Sequence, residues 1–172
     1  MSGPATIGPF DPIGGLPALE ALATRAADYV ALETGGPPDA PTALRWARAH
    51  LRGPLPPGVD RAGALHLGLW DGPRLDGLAS AIFAYPQPRD AFLGLLLLAP
   101  EARAKGHGAR LLRAAEVEAR TRGATRMLVA VLDANPRGRA FWDREGFAAE
   151  RHFTDRRYGA RIHDVWRLSK PL

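Results

Sequence analysis

The sequence predicts an α/β protein built on a mixed sheet, and three observations indicate this class. Apolar residues recur at helical spacing in four segments, short apolar runs typical of strands lie among them, and Gly- and Pro-rich turns separate the segments. The chain has 172 residues, of which 46% are hydrophobic and 24% charged. That length suits one hydrophobic core and that composition is ordinary for a globular protein, so we expect residues 1–172 to form a single domain.

The first third of the chain predicts an arm followed by two helices. Residues 1–16 are rich in Gly and Pro and predict an N-terminal arm or edge strand. From Leu16 apolar residues recur with helical periodicity until Gly35, which predicts one continuous helix. A second helix begins at Pro41 and ends at Gly53.

Strands dominate the middle of the sequence. Apolar segments 64–70 and 78–85 flank Asp-Gly-Pro at 71–73, which predicts a hairpin. Segment 92–98 is apolar at almost every position, as in a strand buried on both faces. Gly94 inside it predicts a bulge or a close backbone approach.

The remaining third alternates helices and strands. A polar, basic loop at 100–108 leads into a helix that ends near Gly123, and a strand follows at 127–132. A short helix then runs from Asn135 to Gly146. Residues 147–168 predict two strands joined by the turn at Tyr158-Gly159, so the chain combines six to seven strands with about four helices.

Composition excludes several kinds of site. The sequence has no Cys, which excludes disulfides, iron–sulfur clusters, thiolate zinc sites and a cysteine nucleophile. The histidines show no metal-ligand spacing, so no metal is expected. The N-terminus lacks a signal-peptide pattern, and the longest apolar run is about half of a bilayer span. We therefore expect a cytoplasmic protein with no membrane partner.

The charge is unevenly distributed. Residues 1–100 carry 7 basic and 9 acidic side chains, whereas residues 101–172 carry 16 basic and 9 acidic ones. A basic half indicates an anionic partner, which is a nucleic acid, an acidic membrane surface or a phosphorylated small molecule. A general preference for arginine along the whole chain would explain the total number of basic residues. It explains less well why most of them lie in residues 101–172. No recognition helix or aromatic–basic ribbon is visible, so a nucleic-acid partner is the least favoured.

The most informative stretch runs from Leu95 to Leu112. A buried strand ends there, a loop with two glycines follows, and an amphipathic helix begins. The free N–H groups at such a helix start bind phosphate, and Arg103, Lys105 and Arg110 add positive charge. The loop therefore predicts an anion site that suits a pyrophosphate best, with a simple packing turn as the alternative. Leu111 replaces the third glycine of a Rossmann fingerprint, and no P-loop Gly-Lys-Ser/Thr is present.

Two motifs in this region resemble those of the GCN5-related N-acetyltransferases. Arg103-Ala-Lys-Gly106-His-Gly108 resembles the family's Arg/Gln-x-x-Gly-x-Gly/Ala, and it follows a strand that ends in Leu98-Ala-Pro100. The segment 135–147 resembles the family's Asn-x-x-Ala-x-x-Phe-Tyr-x-x-x-Gly-Phe with small changes. The resemblance is strong over 90–147, which it implies is an acetyl-CoA-binding core. It also implies a mostly antiparallel sheet that splays between the fourth and fifth strands.

The resemblance further implies direct transfer of an acetyl group from acetyl-CoA to a small-molecule or peptide amine. The implied cofactor-binding residues are Leu96, Leu97 and Leu98 along the pantetheine and thioester, Arg103, Ala104, Lys105, Gly106, His107, Gly108 and Ala109 around the pyrophosphate, and Asn135, Phe141 and Trp142 along the pantetheine. The Leu98 backbone N–H would stabilise the developing oxyanion. The final strand, 163–168, could also pair across a homodimer.

The sequence departs from the family where protons are handled. Trp142 stands where the family has a Tyr acid, and Phe92 and Ala130 stand where a glutamate base is common. Our candidate bases are Glu33 and Asp133, with a solvated loop carboxylate as the alternative for each. Water or a tyrosine, at 85 or 158, would supply the proton to the leaving group.

Two alternatives remain open at this point. The missing acid and base also fit a module that binds acetyl-CoA without turnover. The Arg156-Arg157 turn with Arg161 is either a solvated hairpin tip or a site for an acidic acceptor or the 3′-phosphate of CoA.

Overall fold

The computed structural model describes residues 5–172. Its elements, in chain order, are β1 (Thr6–Pro9), α1 (Leu16–Arg25), α2 (Ala27–Thr34), α3 (Ala40–Arg52), β2 (Leu65–Asp71), β3 (Arg74–Phe83), β4 (Asp90–Leu98), a 3-10 turn (Pro100–Ala102), α4 (His107–Thr121), β5 (Arg126–Leu132), α5 (Pro136–Arg144), β6 (Ala148–Tyr158) and β7 (Arg161–Pro171).

The strands form one mixed sheet. Their order is β1-β2-β3-β4-β5-β7-β6, and every neighbouring pair is antiparallel except β4 and β5, which are parallel. The predicted mixed, mostly antiparallel sheet of six to seven strands is thus confirmed, and the arm contributes its edge strand, β1.

The sheet opens between β4 and β5. These two strands pair only from Asp90 with Arg126 to Leu93 with Val129. Beyond that point β4 continues along β3, and β5 continues along β7. Gly94 lies at a bulge, because Ser80 pairs with Leu95 whereas Ala81 pairs with Leu93. The splay implied by the motif resemblance and the bulge predicted at the glycine are both present.

Helices cover the two faces of the sheet unequally. On the face that we call the α4 face, helices α4 and α5 contribute Leu111, Leu112 and Trp142 to a core with strand residues such as Leu93 and Val129. On the opposite face, the α1–α3 face, a second core joins the first three helices to side chains of β3 and β4. No helix among residues 5–172 has the length and apolarity needed to cross a membrane.

The predicted continuous helix from Leu16 to Gly35 is wrong in one respect. Ala26 leaves helical geometry (φ −90°, ψ 31°), so the segment forms two helices, α1 and α2. At the end of α1, Arg25 donates hydrogen bonds to Asp76 at 2.9 Å and to the Leu75 carbonyl oxygen. These contacts hold the end of α1 against β3, so α2 forms a separate helix rather than a continuation of α1. Neither Gly nor Pro marks this break, so periodicity alone misses it.

Candidate functional site

The loop before α4 presents a row of free amides. Ala104 and Gly106 both have left-handed backbone, with φ of 58° and 77°. Gly106 caps α4 without any side-chain hydrogen bond. The backbone N–H groups of residues 104–109 donate to no acceptor among residues 5–172. Six consecutive unpaired amides at the positive end of a 15-residue helix form a ready anion site within this described part of the chain.

Gly108 lets this loop sit against the gap in the sheet. A Cβ at Gly108 would lie 3.3 Å from Cε2 of Phe141 and 3.5 Å from Cδ1 of Leu98. The start of α4, helix α5 and the end of β4 therefore meet at this glycine. Glycine is needed at position 108 for this close approach and not for its backbone conformation, because the φ of Gly108 is not in the left-handed region.

The end of β4 offers backbone donors to the gap. The Ala99 N–H donates to the Asp76 carbonyl oxygen at 2.9 Å, which places this pair in the hydrogen-bonded position of the antiparallel ladder. Alternation along the ladder then turns the N–H groups of Leu98 and Leu96 away from β3 and toward the gap. The Leu97 amide faces β3 instead and is part of the sheet.

Helix α5 forms the other wall of the gap. The Asn135 side chain caps this helix by accepting from the Gly138 N–H at 2.9 Å. Trp142 is only 8% exposed, and its ring centroid lies 4.9 Å from that of Phe141 and 5.1 Å from that of Phe147. The aromatic pair of α5 thus lies beside the gap, and Trp142 is a packed wall residue.

The basic side chains of the loop are largely engaged elsewhere. Arg103 donates two hydrogen bonds to the Asp28 carboxylate, at 2.5 and 2.9 Å, and one to the Leu98 carbonyl oxygen at 3.1 Å. Arg110 donates to the Ala5 carbonyl oxygen at 2.9 Å. Lys105 is exposed and forms no ion pair within residues 5–172. The loop therefore relies mainly on backbone amides, and Lys105 adds a cation at its rim.

Glu33 lies in a groove on the α1–α3 face. The groove has a volume of about 490 Å³ and runs between α2, α3 and the turn joining β6 to β7. The Trp46 indole N–H donates to one Glu33 carboxylate oxygen, and the Tyr29 hydroxyl lies 3.5 Å from the other. Burial raises the pKa of Glu33, although these hydrogen bonds and nearby His163 act in the opposite direction.

The β6–β7 turn is fastened to the end of α2. His163 contacts the Glu33 carbonyl oxygen at 2.9 Å through Nε2, and the Ala160 N–H donates to the Thr34 carbonyl oxygen at 2.9 Å. Tyr158 from this turn lines the groove. Burial and the charge of Glu33 raise the pKa of Tyr158, which keeps its hydroxyl protonated.

Asp133 lies on the other face of the sheet. It follows β5, where Val129 and Val131 face the α4 core, and strand alternation places Asp133 on the same face. Its carboxylate lies 3.3 Å from His152 Nε2, and side-chain ligand atoms of Asp133, His152 and Asp164 lie within 4.8 Å of one another. All three residues are exposed. The structure therefore does not bring Glu33 and Asp133 together.

Phe92 and Ala130, which stand where the family motif commonly has a glutamate base, carry no proton acceptor. Phe92 still pairs with Leu128, whereas Ala130 follows the last residue of β5 that pairs with β4. The Phe92 ring lines a second cavity of about 250 Å³ and packs 5.7 Å from the Tyr85 ring. Ala130 is exposed on β5. His50 borders both this cavity and the Glu33 groove, and burial lowers its pKa to about 4, so it is neutral at pH 7.

The aromatic and histidine side chains around Glu33 are not predicted by the local sequence pattern. Trp46 and His50 form a stacked pair with ring centroids 5.6 Å apart, on the helix that follows α2. The helical spacing of Trp46 is that of a core residue, and most of its ring is indeed buried. Only the hydrogen bond from its indole N–H to Glu33 distinguishes Trp46 from an ordinary core residue. These two residues are 13 positions apart in the sequence.

Comparisons with known proteins find a matching family and similar folds. A model of the acetyltransferase (GNAT) family matches residues 27–147. An acetyltransferase from Thermus thermophilus aligns over 100% of both chains with 23% identity and a TM-score of 0.72. A PaiA N-acetyltransferase from Thermoplasma acidophilum, solved with coenzyme A, aligns over 99% of this chain and 100% of its own, with 19% identity and a TM-score of 0.70.

A third solved structure aligns over a similar share of the two chains and with a similar sequence identity. A ribosomal-protein-alanine N-acetyltransferase from Brucella melitensis covers 97% of this chain and 99% of its own, with 22% identity and a TM-score of 0.69. No curated protein matches the sequence. At these identities the solved structures establish the shared fold.

Proposed function

Because the chain belongs to the acetyltransferase (GNAT) family, we propose that it transfers an acetyl group from acetyl-CoA directly to a primary amine of a small molecule or peptide. The observation that carries this proposal is the row of six free amides at residues 104–109, which opens beside the gap between β4 and β5. A pyrophosphate is the group that such a row binds best.

The residues of the gap fit the rest of the cofactor. The amides of residues 104–109 would hold the pyrophosphate, with Lys105 adding charge at the rim. Leu96 would donate its N–H to the pantetheine arm, and Phe141 and Trp142 would provide its apolar wall. The Leu98 N–H would donate to the acyl oxygen as negative charge develops there. Bound acetyl-CoA supplies the activated acetyl thioester, which reacts directly with the amine.

We assign the general base to Glu33 rather than to Asp133. Glu33 lies in a groove large enough for an acceptor and is half-buried beside two aromatic side chains, whereas Asp133 is exposed on the opposite face. The raised pKa of Glu33 makes its carboxylate a stronger base than an ordinary glutamate. It would take the amine proton through water.

The acceptor that this proton chemistry favours is a weakly basic amine. A lysine-like amine with a pKa of about 10.4 costs roughly 4–5 kcal/mol to deprotonate at pH 7, whereas an α-amine near 8 costs about 1–1.5 kcal/mol. Trp142 cannot protonate the leaving group, because its indole N–H donates a hydrogen bond but is far too weak an acid to release its proton. A thiolate whose conjugate acid has a pKa of roughly 8.5 departs without that help, so the loss of the Tyr slows transfer rather than stops it.

Two measurements test the proposal. Calorimetric titration with acetyl-CoA should show binding at one site. A thiol-release assay against α-amines, polyamines, aminoglycosides and peptide N-termini should then show turnover above the uncatalysed rate with at least one class. Absence of any acetyl-CoA binding would overturn the proposal.

A specific observation favours a second candidate, which is an acetyl-CoA-binding module with little or no turnover. Phe92, Ala130 and Trp142 are side chains without acid–base chemistry at the three positions where the family commonly handles protons. Binding of acetyl-CoA without thiol release from any amine in the panel would select this candidate. Turnover with any one amine would exclude it.

A further inference from the structure

The β6–β7 hairpin carries a row of arginines on one face. Arg156 pairs with His163, and Tyr158 pairs with Arg161, so strand alternation places these side chains on the α1–α3 face. Arg151 pairs with Arg167 farther along the same face. We call Arg151, Arg156, Arg161 and Arg167 the arginine strip.

The centre of the strip is an aromatic ring surrounded by guanidinium groups. The central guanidinium carbons of Arg151 and Arg156 each lie 4.9 Å from the Phe153 ring centroid, and that of Arg167 lies at 5.6 Å. Stacking on one ring orders three like charges close together. Such a cluster gains stability when an anion binds to it.

Little negative charge within the protein neutralises the strip. Glu150 contacts Arg167 at 3.0 Å and also Arg126 at 2.8 Å. Arg151, Arg156 and Arg161 form no ion pair among residues 5–172, and all three are exposed. Within that described range, the strip therefore presents three uncompensated cations to solvent.

The strip leads directly into the Glu33 groove. Tyr158, which lines the groove, lies between Arg156 and Arg161 in the hairpin register. The Arg161 side chain packs over Gly35, at the end of the helix that carries Glu33. A cationic amine is attracted to the carboxylate inside the groove, and anionic groups are attracted to the arginines outside it.

The length of the strip indicates an extended partner. Arg161 and Arg167 are six residues apart on β7, which corresponds to roughly 20 Å at about 3.3 Å per residue. A small anion would contact only the guanidinium cluster around Phe153, whereas about six residues of extended polypeptide would also reach Arg161 beside the groove.

We propose that the acceptor is a polypeptide N-terminus followed by acidic residues, with its α-amine in the Glu33 groove and its acidic side chains along the arginine strip. This inference rests on the proposed acetyl transfer and names its substrate class. An α-amine suits the weakly basic acceptor that the proton chemistry favours. A nucleic acid fits this site less well, because its bases are uncharged at neutral pH and offer no cationic amine to the Glu33 carboxylate, whereas a peptide N-terminus does.

The test compares matched peptides and matched variants. Three peptides begin with Ala and continue with five Asp and Glu, five Gln, or five Arg residues. With acetyl-CoA saturating, kcat/KM for the acidic peptide should exceed that for the Arg peptide at least about tenfold, and the difference should shrink as salt increases. The double variant R151E/R156E should lose this preference.

The control variant is R157E, which adds one reversed charge to the same strand. Arg157 is exposed and pairs with Ile162, so its side chain lies on the opposite face from its neighbours Arg156 and Tyr158. R157E should keep the preference for the acidic peptide. Acetyl-CoA affinity should be the same in wild type and R151E/R156E, whereas a weakened affinity would overturn the inference by assigning the strip to the 3′-phosphate of CoA.

A binding measurement keeps the test independent of turnover. Fluorescence anisotropy of a labelled acidic peptide should show binding to the wild type loaded with CoA, which carries no acetyl group to transfer, and at least about tenfold weaker binding to R151E/R156E. Tighter binding of a single-stranded oligonucleotide than of the acidic peptide would overturn the inference. Turnover with small amines but equal kcat/KM for all three peptides would also overturn the inference. The proposed acetyl transfer would then still stand.

Discussion

Glu33 holds a negative charge in surroundings that oppose it. Its carboxylate lies between Trp46 and Tyr29, which donate hydrogen bonds, and burial still raises its pKa above that of an ordinary glutamate. A carboxyl group with a raised pKa in the folded state contributes stability that is complete below its unfolded pKa. That contribution is lost as the pH rises through the folded pKa. Above that pKa the charge at position 33 therefore costs stability, and the proposed base requires this same charge.

The variant E33Q separates these two effects. Glutamine keeps an oxygen that accepts from Trp46 but carries no charge, so we expect the melting temperature at pH 7–8 to rise by roughly 2–4 °C for a gain of about 1 kcal/mol. Turnover with the best amine should fall at least about tenfold. Differential scanning calorimetry and thiol release measure the two changes. E33Q with unchanged turnover would remove Glu33 from the mechanism.

The pH dependence provides an internal check on the same variant. Because the amine itself loses a proton as the pH rises, the useful quantity is the ratio of wild-type to E33Q kcat/KM. This ratio should rise with pH through the raised pKa of Glu33 and level off above it. A ratio independent of pH would contradict a base at this position.

The N-terminus of α4 shows what local sequence predicts well. The glycines and the basic residues of this loop lie within ten residues, so the backbone that they require is visible in the sequence. Gly106 has a left-handed φ of 77° and Gly108 lies close to Phe141 and Leu98, and glycine suits both positions. The side-chain role of Arg103 was not visible, because its partner Asp28 is 75 residues distant.

Substitution of Gly106 tests the anion site with little disturbance of the helix. Asp and Asn both tolerate left-handed backbone, and a Cβ at Gly106 meets no atom within 4 Å. In G106D a carboxylate lies where the pyrophosphate is proposed to bind, so acetyl-CoA affinity should fall at least about tenfold more than in the neutral variant G106N. Calorimetric titration measures both. Equal affinities for the two variants would exclude a phosphate at this helix end.

The ion pair between Arg103 and Asp28 joins α2 to the loop before α4. Arg103 hydrogen-bonds to Asp28 and lowers the pKa of that carboxyl, so this stabilisation is present at neutral pH and lost as the pH falls through the lowered pKa. Asp28 is 57% exposed, so D28N should cost only about 0.3–1 kcal/mol. Hydrogen exchange of the α2 amides should nevertheless become faster.

A matched control distinguishes this local effect from a general loss of stability. Glu118 forms an exposed pair with Arg122 near the far end of α4. E118Q should leave exchange in α2 unchanged. If D28N and E118Q gave the same α2 exchange as the wild type, the ion pair would not hold the helix in place.

In the whole molecule, the two proposed sites lie on opposite faces of the sheet. Helices α4 and α5, which are proposed to bind the cofactor, lie on one face, and the groove proposed for the acceptor lies on the other. The gap between β4 and β5 interrupts the sheet that separates them. Order and spacing of elements predicted the sheet type, and the motif resemblance predicted the gap. The faces on which Glu33 and Asp133 lie depend on tertiary packing, and the sequence therefore offered both as equal candidates.

The C-terminal end of β7 is joined to α4 by a buried ion pair. Lys170 lies 2.6 Å from the Glu116 carboxylate, and Glu116 is only 2% exposed. Arg113, the other cation near that carboxylate, lies 3.8 Å away. K170M would leave the buried charge of Glu116 with this single distant partner, so we expect a loss of about 3 kcal/mol in the free energy of unfolding, measured by urea denaturation.

The double variant E116L/K170M decides whether the ion pair itself stabilises the protein. Removing both charges also removes the uncompensated carboxylate, and apolar side chains of similar volume often replace a buried pair without loss. We therefore expect E116L/K170M to recover most of the stability lost in K170M. A double variant as unstable as K170M would show that the pair contributes net stability. In that case the charges of this pair, rather than apolar packing, would hold the end of β7 against α4.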